Sequence, residues 1–147
     1  AEMSVCESSG CASGLPLGDV VGYRRVMGDS LDDILDAILQ QPVSAAVHAS
    51  GRDFQLYKDG VLPCQCGSRV DHAVLVVGFG TANGLKYWLV KNSWGSSWGR
   101  SGFAKLARSD AGGGADCCIG GWIGYPLVKG VPMGGGATGP PRSPASP

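Results

Sequence analysis

One dipeptide constrains this chain more than any other feature. Asn83-Gly84 lies between two apolar runs, Ala73–Phe79 and Leu85–Val90, rich in Val, Leu and aromatic residues. Both residues tolerate positive φ, which a type I′ turn demands at its two central positions, so the stretch predicts a two-stranded hairpin. Pairing about that turn brings the start of the first run beside the end of the second. His72 and Asn92 therefore leave the hairpin at the same end. An imidazole beside a side-chain amide is a usable base: one ring nitrogen moves a proton while the other is held in a single tautomer. Trp94 and Trp98 follow at once, placed to cover such a pair and keep water off it.

The remainder supplies a scaffold. With 147 residues the chain fits one domain and can bury a core. Ser30–Gln41 predicts a helix. Leu31, Ile34, Leu35, Ile38 and Leu39 form one apolar stripe, Ser30 and Asp33 make a capping-box variant, and Pro42 stops the helix. Val20–Val26, Val43–Ala49, Gly102–Ala107 and Ile119–Val128 read as strands, Gly51–Gly60 as a polar loop around Phe54 and Tyr57, and Ser109–Ala115 as a flexible loop. Residues 1–19 are small and polar and read as a loop segment. From Gly130 to Pro147 Gly and Pro dominate without an apolar period, which predicts a disordered linker or tail. The folded unit is thus expected over residues 20–129.

Charge narrows the function classes. Lys plus Arg and Asp plus Glu each number 12, so the formal net charge is zero. That argues against an electrostatic nucleic-acid footprint and against a basic membrane-surface patch. The longest apolar runs are strand-length, short of the ~20 residues of a spanning helix. The first residues, AEMSVCESSGC, lack the basic start and apolar stretch of a signal peptide, so a processed chain or a missing upstream part is expected. Six cysteines point to an oxidising compartment, and their pairing is open from spacing alone. Cys64-Gln65-Cys66 with Cys117-Cys118 lacks the paired spacing of structural zinc sites, so no metal or cofactor is assigned.

Several dispersed blocks carry a resemblance: Asp71-His72-Ala73, Lys91-Asn92-Ser93-Trp94-Gly95 with Trp98-Gly99, Gln41-Pro42-Val43-Ser44, Asp53-Phe54-Gln55-Leu56-Tyr57 and Tyr125-Pro126. Together, over roughly Val20–Lys129, the chain resembles the papain-like cysteine peptidases, specifically the β-rich lobe of that two-lobed fold. The resemblance implies an α+β, mainly β architecture: an antiparallel, barrel-like sheet with one packed helix. It implies that His72 is the general acid/base and ion-pair partner of a cysteine thiolate, that Asn92 orients it, and that Asp71 tunes the site. It places Ala46, Val70, Ala73 and Trp122 along the main specificity pocket, small apolar walls ending at a large aromatic base. It pairs Cys66 with Cys117, because Cys117 keeps the family's spacing to Tyr125-Pro126. Cys6 or Cys11 would bond to the helical lobe, or the two would bridge each other. Cys64 and Cys118 are extra. His48, on another strand without a partner motif, reads as an ordinary strand or surface histidine.

The family's nucleophile and oxyanion-hole glutamine belong to a Cys-bearing helical lobe, and no such motif occurs in this sequence. By resemblance, then, the expected partners are a peptide or protein substrate and a helical lobe on a missing N-terminal segment or a separate chain. Nucleic acid and membrane are not expected partners. The implied activity is peptide-bond hydrolysis through a thioester, and the chain alone is expected to be inactive. A lysosomal, vacuolar or secreted location fits the cysteines and the family. Two other readings stand beside this one: acyl transfer on the same fold, and a non-catalytic lobe that binds peptides or a partner.

Overall fold

The computed structural model describes residues 14–26, 30–63, 69–109, 119 and 122–131. All six cysteines, including the expected Cys66–Cys117 bridge, lie outside the described residues, as do most of the segments 1–19 and 130–147. In chain order the elements are β1 (Val20–Val26), α1 (Leu31–Gln40), β2 (Val43–Val47), α2 (Arg52–Gln55), β3 (Val61–Leu62), β4 (His72–Ala82), β5 (Leu85–Lys91), β6 (Phe103–Ala107) and β7 (Ile123–Val128). The strands form one open sheet in the order β1-β7-β2-β4-β5-β6-β3. Every pairing is antiparallel except β3–β6, which is parallel and makes the sheet mixed. The mainly β architecture with a helix packed on it is as the sequence implied.

The hairpin organises the sheet. Asn83 and Gly84 take φ of 51° and 77°, as a type I′ turn requires, and Ala82 pairs with Leu85 across it. Between Val76 and Gly78 the register shifts by one residue, so β4 bulges at Val77. A bulge of this kind bends a strand and sharpens its twist. Val74, Val76, Trp88 and Val90 point into the core, where they meet Val43, Ala45 and Val47 of β2, Leu106 of β6 and Ile123 of β7.

Helix α1 lies against β1 and β4. The Ser30 hydroxyl accepts a hydrogen bond from the Asp33 N–H at 3.2 Å, which satisfies one of the unpaired donors of the first turn. Its buried face is centred on Ile34, Ala37 and Ile38, with Leu31 and Leu35 half-buried. Leu39, expected on the apolar stripe, is exposed instead. It sits five residues from Ile34, roughly 140° around the helix axis, and Ala37 takes the core position.

Other expectations need correction. Gly51–Gly60 is not a featureless polar loop: it contains α2, and Phe54 and Tyr57 are both buried. Strand β3, absent from the sequence reading, is two residues long, too short for any alternation to register. Strand β2 ends at Val47 rather than Ala49, because the Asp71 carboxylate accepts the Ala49 N–H at 2.7 Å and takes over from the ladder. The last strand begins at Ile123, four residues later than expected.

Candidate active site

His72 is the first residue of β4 and Asn92 the residue after β5. The Asn92 N–H donates to the Gly102 carbonyl at 2.9 Å, which fixes its backbone at the root of the hairpin. His72 Nε2 and Asn92 Oδ1 are 2.8 Å apart. The Ser93 N–H lies 2.7 Å from the same Asn92 oxygen. A backbone N–H only donates, so that atom must be the carbonyl oxygen, and the amide cannot be flipped. An oxygen that only accepts must in turn receive its second bond from His72 Nε2–H. The neutral ring therefore carries its proton on Nε2 and keeps a lone pair on Nδ1, which has no hydrogen-bond partner among the described residues.

Asn92 is buried, and among the described residues its Nδ2 has no hydrogen-bond partner. An unsatisfied buried amide donor costs about 1–3 kcal/mol.

Aromatic rings enclose the imidazole. Trp94 lies over His72 at 5.0 Å between centroids and a 34° tilt, and Phe54 meets it edge-on at 6.3 Å. Trp98 packs on Phe54 at 5.0 Å, on Trp94 at 5.6 Å and on Tyr57 at 5.7 Å. Its indole N–H donates to the Phe54 carbonyl at 3.1 Å, which gives the buried ring a partner for its only donor. Gly99 closes this turn: its φ is +57°, and a Cβ there would lie 2.5 Å from the Phe103 carbonyl oxygen. The sequence reading placed Trp94 and Trp98 at this site and assigned no role to Phe54 or Tyr57. Their spacing of three residues on one short turn was the available signal.

Tyr57 ties α2 to the sheet. Its hydroxyl donates to the Gly60 carbonyl at 2.7 Å and accepts from the Lys105 N–H at 3.2 Å. Burial holds its pKa above the ordinary 10.0, with the Lys105 hydrogen bond opposing in part.

Asp71 precedes His72 and points to the other strand end. Its Oδ1 accepts the Ala49 N–H, and this bond, with that of the Ser50 hydroxyl, holds its pKa below the ordinary 3.8. His48 is not an isolated surface residue. Its Nδ1 lies 2.9 Å from the Arg69 carbonyl and 3.7 Å from Asp71 Oδ2.

The residues expected along a specificity pocket are partly gathered. Ala46 pairs with Ala73 across β2 and β4, and the Ala46 N–H donates to the Trp122 carbonyl at 3.3 Å. Val70 is two residues before His72. None of the four is buried: Val70 is 39% and Trp122 66% exposed. The Arg25 guanidinium, which sequence reasoning did not connect to this edge, lies 4.3 Å from the Trp122 ring centroid. Among the described residues no group of three or more His, Cys, Asp or Glu is arranged to hold a metal.

At the root of the hairpin, then, a buried asparagine accepts a hydrogen bond from a histidine ring. The chain belongs to the papain family of cysteine proteases, whose model matches residues 1–126. It is 44% identical over 108 residues to the cysteine proteinase RD21A of Arabidopsis thaliana, an alignment covering 74% of this chain and 23% of that protein. It is 41% identical over 104 residues to chymopapain of Carica papaya, covering 71% of this chain and 30% of that one. The bromelain protease of Ananas comosus, solved in complex with the E64 inhibitor, superimposes with a TM-score of 0.65 at 38% identity, over 74% of this chain and 50% of that one. The chain therefore spans half or less of the length of each of these relatives.

Proposed function

We propose that this chain supplies the histidine and asparagine of a papain-like cysteine endopeptidase. The observation that carries the reading is the His72–Asn92 pair: Nε2–H is held by a buried acceptor, and the Nδ1 lone pair is left to face a thiol. His72 takes the thiol proton and forms a thiolate–imidazolium pair. The thiolate attacks the scissile carbonyl, and His72 returns the proton to the leaving amine, giving a thioester. His72 then activates water, which releases the acid and regenerates the thiol. Asn92 keeps the ring in the one orientation that serves both proton transfers. The aromatic group of Phe54, Trp94 and Trp98 limits water around the pair and strengthens its electrostatics.

The nucleophile comes from a Cys-bearing helical lobe, on an N-terminal segment outside these residues or on a separate chain. In support, Trp94, whose ring lies over His72, is 40% exposed, and Val70 and Trp122 are open to solvent at 39% and 66%. A second lobe laid on this face would cover them. Ala46, Val70, Ala73 and Trp122 then line one wall of the pocket for the residue before the scissile one. The Trp122 indole shortens that pocket, so Val, Pro or Leu is accepted better than Phe or Arg, and Trp122→Ala widens acceptance towards Phe. A vacuolar, lysosomal or secreted setting follows from the same reading.

The test uses the chain joined to a Cys-bearing lobe from a relative and a thiol-directed epoxide as probe. Rapid stoichiometric labelling of the supplied cysteine near neutral pH is expected, because an imidazole partner keeps it as thiolate. His72→Ala should slow labelling by orders of magnitude. Labelling at the rate of an ordinary thiol in both proteins would leave a partner-binding lobe as the better reading. The 147-residue chain alone should take up no probe rapidly and turn over no peptide.

A further inference from the structure

We propose that His48 is a positioning residue for His72, acting through a cross-strand clasp at the entry to β4. The inference rests on the role given to His72 above. The β2–β4 ladder ends at Val47 opposite His72. Beyond that pair the two segments stay together by further bonds. The Asp71 N–H donates to the Val47 carbonyl at 3.0 Å, the Ala49 N–H donates to Asp71 Oδ1 at 2.7 Å, the Ser50 hydroxyl also bonds the Asp71 carboxylate, and His48 Nδ1 bonds the Arg69 carbonyl at 2.9 Å.

The last bond fixes the chemistry of His48. A backbone carbonyl only accepts, so Nδ1 must carry the proton, in the neutral ring and the protonated ring alike. That proton donates to Arg69, while Asp71 Oδ2 at 3.7 Å and Ser50 Oγ at 3.5 Å stand beside it. Asp71 is the acidic group within 4 Å of the His48 ring among the described residues, and the uncharged Gly51 faces the ring's other edge, where an added Cβ would lie 3.6 Å from Nε2. The clasp thus holds residues 69 to 71, the segment that delivers His72. A hydrogen bond that links positions 21 residues apart at a strand end limits the swing of the first strand residue. Here that residue must keep Nε2–H on Asn92.

The chain holds two histidines, so ring signals in nitrogen-15 correlation spectra are few enough to assign outright. In the unmutated protein His48 should be the Nδ1–H tautomer and His72 the Nε2–H tautomer. His48→Leu should raise the solvent-exchange rate of the His72 ring N–H and of the Asp71 amide by roughly tenfold, the response to losing one such bond. Amides of Val76 and Val90, inside the hairpin, should keep their rates. His48→Asn should restore protection, since its carboxamide N–H occupies the place of Nδ1–H. An Nε2–H tautomer for His48 in the unmutated protein overturns the proposal without any variant. So does unchanged exchange in His48→Leu, or a His48→Asn protein no better protected than the Leu variant. A wrong tautomer at His72, with His48 as expected, overturns the role of His72 instead and leaves the clasp standing.

Discussion

The two ends of the β4–β5 hairpin are built by different means. At the tip, Asn83 and Gly84 satisfy the turn with their own backbone preferences and touch little else. At the root, no residue is sufficient alone. His72 depends on Asn92, Asn92 depends on Ser93 and Gly102, and the rings that cover them come from α2 and from the turn after β5. The tip closes the hairpin through local conformational preference. The root brings His72 and Asn92 together through contacts distant in sequence. A mutation at the tip should therefore cost stability and spare the site, whereas one at the root can spare stability and ruin the site.

The largest effect is expected where the root is also core. Trp98→Ala removes a buried ring that contacts Phe54, Tyr57 and Trp94, and should cost about 3–5 kcal/mol in urea unfolding. A loss below 1 kcal/mol would mean that the aromatic group is not a packed unit. At the tip, Gly84→Val forces a β-branched residue to a φ of 77° and should cost about 1–2 kcal/mol. The His72 ring signals should not move in that variant. If they do, tip and root are not independent.

Two titrations sharpen the contrast further. Tyr57 has its pKa raised in the folded protein, so its contribution is fully present below pH 10.0 and is lost as pH rises through the folded value. Thermal unfolding of Tyr57→Phe should lack that alkaline decline while the unmutated protein shows it. Asp71 has its pKa lowered, so its contribution is present above pH 3.8 and is lost as pH falls through the lower folded value. Protection of the Ala49 amide should persist through the mildly acid range and fall only below it. Asp71→Asn should leave that amide insensitive to acid.

Asn92→Ala should have the smallest effect on stability, within about 1 kcal/mol of the unmutated protein. It loses two hydrogen bonds but also removes an unsatisfied buried donor. His72 should lose its fixed tautomer all the same. A large loss of stability would show that the amide is structural first.

This division also explains what the sequence made legible. The hairpin, α1 and the bounds of β1 follow from local rules: a turn dipeptide, a capped amphipathic stripe and strand-forming residues. The convergence of His72 and Asn92 followed from the turn. The phase of α1 did not, because Leu39 and Ala37 are chosen by what the sheet leaves room for. Nor did β3, whose two residues pair with β6 only after α2 has turned the chain back. The bonds of His48 were not legible for a similar reason. Its partners, Arg69 and Asp71, lie 21 and 23 residues away and meet it only past the end of the ladder.

Peptide turnover tests the role of His72 most directly. With the chain joined to a Cys-bearing lobe, hydrolysis of a fluorogenic dipeptidyl substrate should be abolished by His72→Ala. Asn92→Ala should reduce it by less, since the base remains and only its orientation is lost. Undiminished hydrolysis by the His72→Ala protein would contradict the assignment of the base and, with it, the function proposed for this lobe.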